Sequence, residues 1–296
     1  MDSRVAGSLV LLAAVLWGTT GTAQAFAPQG ASPLAIGAMR LAVGGLALLC
    51  FVLVRGTLSR KKAWPLGATL IAAVSMALYQ PLFFSAVAST GVAVGTVVAI
   101  GSAPILAGML EYVFRGVKPG QRWWLATALA VAGCVLLLGH QGEVSINIGG
   151  LLMALGAGFS FAVYTLVSKG LLAQHRPEEV VAVVFSLSAV LLSPLLFFYD
   201  LSWLLEMRGW AVVLHLGLVA TALAYLLFVR GLTGIPAAHA VTLSLAEPLT
   251  AALLGIFLVG EILTSTAKFG IALLFLGLSL LTVRFRFLQQ GNVPKK

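Results

Sequence analysis

The sequence predicts an all-α membrane protein in which ten transmembrane helices form two inverted five-helix repeats around a central cavity. Three observations predict this class. Of the 296 residues, 60% are hydrophobic and only 9% are charged, whereas a soluble domain needs about a quarter of its residues charged to cover its surface. Apolar runs follow one another along the whole chain, and its two halves match each other at a constant offset.

The apolar runs have the length of transmembrane helices, because about twenty residues are needed to cross roughly 30 Å of hydrocarbon. The connections between them are short and leave no room for an extramembrane catalytic domain. The first run, with Arg4 before it and Ala23-Gln24-Ala25 at its end, has features of a signal peptide, but its removal would leave an odd number of spans and break the repeat. The predicted spans are 7–27, 34–54, 66–87, 92–113, 123–139, 149–169, 179–199, 209–229, 237–259 and 266–285.

The positive charges predict the orientation of these spans, because Lys and Arg concentrate in cytoplasmic loops. With the N-terminus inside, fifteen of the 18 Lys and Arg residues lie on the cytoplasmic side, and Arg208 and Lys268 lie opposite. Arg40 lies within the second span. We therefore expect a multi-pass protein of the bacterial inner membrane with both termini cytoplasmic, whose charge of +9 serves topology rather than nucleic-acid binding.

The two halves of the chain align without gaps at an offset of 144 residues. The matched pairs are Pro33 with Pro177, Phe84 with Phe228, Ala93 with Ala237, Pro104 with Pro248, Gly116 with Gly260 and Gly133 with Gly277. Five helices per half is an odd number, so the second half must enter the membrane from the opposite side, as in many secondary transporters. The predicted units are a first repeat at 1–144, an inverted second repeat at 145–288 and a cytoplasmic tail at 289–296.

Two equivalent prolines indicate where a binding site lies. Pro104 and Pro248 are near the middle of the fourth and ninth spans. Because proline has no N–H, each frees the carbonyl four residues earlier, on Ile100 and Ser244. Paired helix breaks at corresponding positions point to a site at the membrane midplane. The alternative is a packing kink whose freed carbonyl is satisfied by a neighbouring Ser or Thr.

At these positions the chain resembles the EamA-type transporters of the drug/metabolite transporter superfamily. The similarity rests on Trp17-Gly18, Arg40, Glu247-Pro248 and the run Gly260-Glu261-Ile262-Leu263-Thr264. Within that group the chain looks most like the bacterial YddG-type inner-membrane exporters of aromatic amino acids. In the first half, Ala103 and Val117 stand where the second half has Glu247 and Glu261, so any role of these acids is asymmetric.

The resemblance implies a secondary transporter, not an enzyme, that exports small metabolites by alternating access. Aromatic or hydrophobic amino acids are the expected substrates. A sugar-phosphate or nucleotide-sugar exchanger of the same superfamily is an alternative, but it should have several basic residues in its cavity. An intramembrane lipid-modifying enzyme is another, but it would need ionisable groups clustered at one interface, whereas the charges here follow loop position.

Three ionisable residues lie within the spans. Each is expected to have a structural or functional role, because a charge there costs about 2.5–3.5 kcal/mol on insertion scales. They are Arg40, His239 and Glu247. In a structural interpretation, Arg40 and Glu247 pair or bond neighbouring backbone and lock the halves together. In a functional one, Arg40 binds a substrate carboxylate and Glu247 holds the amine or a proton. Proton coupling at Glu247 or His239 and facilitated diffusion both remain open.

Aromatic and polar residues on shared helix faces predict a cavity wall that stacks on a planar ligand and supplies a few hydrogen bonds. Trp17, Gly21 and Gln24 share one face of the first helix beside Thr20, and Tyr164 shares a face of the sixth with two serines. The predicted substrate-binding residues are Trp17, Thr20, Gln24, Arg40, Tyr79, Gln80, Ser102, Tyr164, Ser244 and Glu247.

The remaining sequence features narrow the expected chemistry and partners. No Gly-x-x-x-x-Gly-Lys-Ser/Thr loop is present and no His/Cys/Glu cluster has metal-ligand spacing, so we expect neither ATP hydrolysis nor a metal or cofactor. The expected partners are a small-molecule substrate and the lipid bilayer, with the protein acting as a monomer. Five tryptophans near helix ends are expected to anchor at the bilayer interface; they are Trp64, Trp123, Trp124, Trp203 and Trp210.

Overall fold

The computed structural model describes residues 1–58, 63–138, 147–259 and 264–287, and all regular elements in these ranges are helical. Most predicted spans agree with the observed helices to within a few residues, whereas in the seventh span the α-helix ends at Leu192 and a 3-10 helix, Ser193–Phe198, continues it. We number the helices α1 Ser3–Ala25, α2 Pro33–Val54, α3 Leu66–Thr90, α4 Val92–Arg115, α5 Gln121–Leu138, α6 Ile148–Leu171, α7 Pro177–Leu192, α8 Met207–Leu232, α9a Ala237–Leu243, α9b Ala246–Leu254 and α10 Ser265–Phe287. The run at 260–263 and the tail at 289–296 lie outside the described residues.

The described helices are those of a multi-pass membrane protein. Nine helical segments in the described ranges are long and apolar enough to cross a bilayer, and α5 is shorter. Large apolar side chains are exposed along their outer surfaces, including Leu46, Phe257 and Phe275. A surface of this kind suits hydrocarbon rather than water, and helices satisfy their own backbone hydrogen bonds there.

Local sequence sets where several helices begin and end. Asn147 accepts the N–H of Gly150 at the start of α6, with a distance of 3.1 Å, which satisfies a donor that has no partner within the helix. Pro177 occupies the first turn of α7, where its missing N–H costs nothing. Gly116 ends α4 in the left-handed region, with φ of 66°.

The two halves of the chain interlock instead of forming separate bundles. Helix α3 packs along α6, α5 along α10 and α2 along α7, while α1 packs against α8 and α9b, and α4 packs against α6. Each of these pairs joins a helix from before residue 139 with one from after residue 146. Relative movement of the halves therefore has to occur at helix surfaces distributed through the whole protein.

Close backbone contact between α5 and α10 depends on glycine. A Cβ added to Gly133 would lie 2.6 Å from the Gly270 carbonyl oxygen and 2.6 Å from the Leu274 nitrogen. Backbone atoms of a packed helix cannot move aside as a flexible side chain would. Small residues allow such an approach, and in lipid it supplies the packing contacts that hold helices together.

Gly133→Ala is expected to lower the melting temperature of the detergent-solubilised protein, because the added methyl group forces α5 away from α10. Overpacking of this kind costs about 1–3 kcal/mol. Gly170→Ala is the matched control, since a Cβ there meets no atom within 4 Å and alanine favours the helix. The melting temperature should therefore be unchanged or higher for Gly170→Ala, and equal melting temperatures for the two variants would contradict the close packing.

The two prolines have different effects on their helices. Helix α4 continues without interruption through Pro104, so the structure shows no break there. One proline removes a single hydrogen bond, and packing against α3 and α6 holds the helix on both sides. The ninth span is interrupted at Ser244 and Leu245, between α9a and α9b. Pro248 has no N–H to donate to the Ser244 carbonyl. This carbonyl instead accepts the N–H of Glu247 at 2.9 Å.

The tryptophans near helix ends do not form one interfacial set. Trp124 and Trp210 are exposed as expected, whereas Trp123 and Trp203 are 2% and 3% exposed. The ring of Trp123 lies over Gly108 of α4, whose missing side chain leaves room for it, and Trp203 packs beside Gly209. Trp123 and Trp203 therefore pack inside the protein next to glycine, whereas the sequence predicted both as interfacial anchors.

Candidate functional site

A pocket of about 640 Å³ lies among α1, α2, α3, α4, α6, α8 and the part of the ninth span from its interruption at Ser244 through α9b. This volume is typical of pockets that enclose a small molecule. Most lining residues are apolar or aromatic, with a few polar and charged groups among them. Such a lining can take up an amphipathic molecule and orient it through a small number of hydrogen bonds.

The pocket lies toward one end of the bundle. Met1, Glu111, Lys169, Leu232 and Ala237 come together at the other end, which we call the terminal face because α1 begins there. No pocket-lining residue belongs to this group.

The pocket is open at the opposite face. There it reaches Ala25 at the end of α1 and Pro33 at the start of α2, and both residues are exposed. Among the described residues, the pocket is therefore closed toward the terminal face and accessible from the opposite face.

Most of the residues that the sequence selected lie together in the wall of this pocket. They are Trp17, Thr20, Gln24, Arg40, Tyr79, Gln80, Ser244, Glu247 and Pro248. They come from α1, α2, α3 and the interrupted ninth span. The pocket also includes Phe83, Phe84 and Tyr225, none of which belongs to the predicted set of substrate-binding residues.

The other selected residues are placed elsewhere. Tyr164 is fully buried behind the wall, with its ring against Phe161 and Tyr225. The Ser102 hydroxyl donates to the Ala99 carbonyl at 3.3 Å, on the side of α4 that packs against α6. Pro104 and His239 are not among the lining residues, and His239 is half-buried in α9a.

Arg40 is held in the wall by α8. Its Nε donates to the Thr221 hydroxyl at 3.1 Å, and its Nη2 donates to the Ala220 carbonyl at 3.2 Å. Both acceptors belong to a π-helical stretch, His215–Leu223, and a π turn changes the backbone pairing so that a carbonyl can take another donor. A guanidinium has five N–H donors, so three remain for a molecule in the pocket.

Glu247 lies in the first turn of α9b with its side chain in the pocket wall. Its backbone N–H is bonded to Ser244, but within the described ranges no hydrogen bond or ion pair is found for its carboxylate. Arg40 interacts with it electrostatically without contact. Since a carboxylate within a membrane span is costly without a partner, this half-buried group is placed to receive a cation or a hydrogen-bond donor from the pocket.

An aromatic cluster closes the inner end of the pocket. The Trp17 ring centroid lies 4.8 Å from that of Tyr225, 5.3 Å from Phe228 and 5.9 Å from Phe161. Trp17 is only 4% exposed, so the cluster is a packed floor with a single face toward the pocket. Flat apolar surfaces of this kind favour the side chain of an apolar or aromatic ligand.

The sequence argument missed a buried acid, Glu111. Its carboxylate oxygens accept the N–H groups of Ala237 and Ala238, each at 2.9 Å. Glu111 falls at the end of the predicted fourth span. An ionisable residue within a span is costly, so this position could have identified Glu111 as a residue with a structural or functional role.

The described residues contain no group of three or more His, Cys, Asp or Glu side chains that could hold a metal ion. The polar groups of the pocket are instead a guanidinium, a carboxylate, hydroxyls and amides. These groups bind charged and hydrogen-bonding parts of organic molecules.

Apolar membrane-spanning helices around a pocket with two opposite charges define a membrane transporter, and comparison with known proteins identifies its family. The model of the EamA-like transporter family matches residues 5–139 and 148–283. The chain belongs to this family, which is part of the drug/metabolite transporter superfamily.

Individual relatives agree with this assignment. The chain is 55% identical over 279 residues to the uncharacterized transporter YwfM of Bacillus subtilis strain 168, covering 94% of each protein. It is 31% identical over 263 residues to the threonine/homoserine exporter RhtA of Escherichia coli K12, covering 86% of this chain and 83% of that one. A solved crystal structure with 22% identity shares the fold, with a TM-score of 0.82, over 96% of this chain and 98% of that one.

Proposed function

We propose that this protein exports amino acids from the cytoplasm by alternating access, using the pocket as its binding site. The observation that carries the proposal is the pair of charges in the wall. Among the described residues, Arg40 has three unused donors and the Glu247 carboxylate has no partner. A zwitterion is the simplest molecule that supplies a carboxylate to the first and an ammonium group to the second.

The other lining residues indicate which amino acids fit. A free amino acid fills only part of about 640 Å³, so there is room for a large side chain. Trp17, Tyr79 and Phe161 offer aromatic faces to it. Aromatic or hydrophobic amino acids, as in YddG-type exporters, are therefore the proposed main substrates. The name of RhtA supports amino-acid export and directs attention to threonine and homoserine as further test substrates.

Contacts within the fold support two halves related by pseudo-symmetry. A Cβ on Gly277 would lie 2.7 Å from the Ala126 oxygen, just as one on Gly133 would meet Gly270. At the 144-residue offset, Gly133 corresponds to Gly277 and Ala126 to Gly270. At the same offset, α3 corresponds to α8 and α6 corresponds to α1. The contact of α3 with α6 therefore has a counterpart in the contact of α8 with α1. With five helices in each half, 1–144 and 145–288, the proposed symmetry is that of an inverted repeat.

The proposed location is the bacterial inner membrane, with the terminal face toward the cytoplasm. The distribution of Lys and Arg supports this orientation. The pocket of this structure is then open to the outside and closed to the cytoplasm. Export requires a second conformation with the opposite access.

The composition of the pocket also bears on the alternatives. Arg40 is the single Lys or Arg among the pocket-lining residues that the structure describes, and a sugar phosphate carries two negative charges that call for more than one cation. A lipid-modifying enzyme has no support from the relatives, which are named as transporters.

Efflux of labelled amino acids from proteoliposomes tests the proposal. Purified protein should release phenylalanine, tryptophan or threonine from preloaded vesicles faster than protein-free vesicles do, and it should not release a sugar phosphate. Absence of flux for every amino acid would contradict the proposed function. The same assay with and without a proton gradient separates the coupling modes, because a gradient accelerates proton-coupled export and leaves facilitated diffusion unchanged.

A further inference from the structure

Glu111 joins the first half of the chain to the second at the terminal face. It lies near the end of α4, is 3% exposed, and accepts the first two N–H groups of α9a. These donors have no partner within their own helix. Hydrogen bonds to an ionised group are roughly twice as strong as neutral ones. The carboxylate therefore attaches the start of α9a firmly to the end of α4.

The segment held by Glu111 leads directly into the wall of the pocket. Helix α9a runs from Ala237 to Leu243 and is followed at once by Ser244 and then Glu247, which line the pocket. Because α9a is a separate helix, it can move as a short rigid segment about the turn at Ser244 and Leu245. A change at the pocket and a change at Glu111 therefore act on opposite ends of the same segment.

The position related to Glu111 by the repeat cannot make this attachment. At the 144-residue offset Glu111 corresponds to Gly255, which has no side chain to bind a helix start and lines the open pocket. If the two halves were identical, the same interaction could close the pocket at either face. The carboxylate thus favours the conformation closed at the terminal face.

We propose that Glu111 is a positioning residue of the transport cycle, which keeps the terminal face closed by holding α9a and must release α9a for the pocket to open toward that face. This role rests on the proposed transport function. Access to the terminal face then depends on exchanging two carboxylate hydrogen bonds for solvent.

Cysteine labelling from each side of the membrane tests this role without any substrate. Cys50 and Cys134 are first replaced by serine. Ala240→Cys reports opening at the terminal face, because Ala240 is buried one turn before Ser244 on the same helix face. Ala252→Cys reports opening at the opposite face, because Ala252 lines the pocket. A membrane-impermeant maleimide is added to vesicles of each orientation.

Glu111→Gln should raise the labelling rate of the Ala240→Cys reporter from the terminal side about tenfold, which corresponds to about 1.4 kcal/mol. It should lower labelling of the Ala252→Cys reporter from the other side. Thr127→Val, which removes the hydrogen bond of 3.1 Å between Thr127 and Thr242 of α9a, should act in the same direction and more weakly. This second variant tests the role even where Glu111→Gln reduces the yield of folded protein.

Glu178→Gln is the matched control, because Glu178 pairs with Arg230 within the second half of the chain. It should leave both labelling rates unchanged. Unchanged labelling with Glu111→Gln and Thr127→Val would overturn the role of Glu111, and so would an equal increase at both reporters, which would indicate general loosening. Absence of amino-acid flux alongside the expected labelling shift would instead overturn the proposed substrate and leave the role of Glu111 intact.

Discussion

Glu247→Gln is expected to reduce amino-acid transport by about a hundredfold while the protein still folds and inserts. The carboxylate faces the pocket and has no hydrogen bond or ion pair with other described residues, so its charge is available to a substrate ammonium group. Truncating one member of a buried charge pair costs about 2–5 kcal/mol. Glutamine keeps the shape of the side chain and removes only the charge, so the loss reports on electrostatics rather than packing.

Transport by the variant is measured as initial efflux from proteoliposomes at matched protein content. Glu206→Gln provides the control, because Glu206 is exposed just before α8 and is not among the pocket-lining residues. It should transport at the original rate. A Glu247→Gln protein with the original rate would remove Glu247 from the binding site.

Arg40→Leu is expected to abolish amino-acid export as well, and to lower stability to a measurable extent. The substitution removes the proposed partner of the substrate carboxylate. It also leaves the Ala220 carbonyl and the Thr221 hydroxyl without their donors, which costs about 1–3 kcal/mol for a buried group. Both effects follow from one side chain, so loss of transport alone does not separate the structural from the functional interpretation.

Thr221→Val separates the structural from the functional interpretation of Arg40. It removes one hydrogen bond to Arg40 and leaves the guanidinium charge in the pocket wall. Transport should fall only a few-fold, and the melting temperature should fall by less than for Arg40→Leu, because one hydrogen bond is lost instead of two. If the two variants lose transport to the same extent, Arg40 acts through the position of α8 and does not bind the substrate.

The membrane spans could be predicted from the sequence because the bilayer imposes a length and a composition on each helix. The predicted 34–54 and 149–169 differ little from the observed Pro33–Val54 and Ile148–Leu171. Both properties are local, so neighbouring residues suffice to recognise them. Proline removes a backbone donor wherever it stands, but this local property predicted a break at Pro104 as much as at Pro248, and only the ninth span is interrupted.

Features that depend on a second helix were harder to predict. Whether Trp123 faces lipid or protein is decided by Gly108 on α4, and the partners of Glu111 lie 126 residues or more along the chain. Selecting polar residues within spans identified most of the polar residues in the pocket wall, since a polar group in a membrane must face protein or water. It could not separate Glu247, which faces the pocket, from Ser102, which faces α6.

Counterflow in proteoliposomes is the most direct test of amino-acid export through this pocket by alternating access. Vesicles loaded with unlabelled phenylalanine or threonine are diluted into a trace of the labelled amino acid. A carrier that exposes one site alternately to each side exchanges the two, so the label should accumulate transiently above its external concentration, and Glu247→Gln should prevent this. Accumulation equal to that of protein-free vesicles for every amino acid tested would contradict the proposed function.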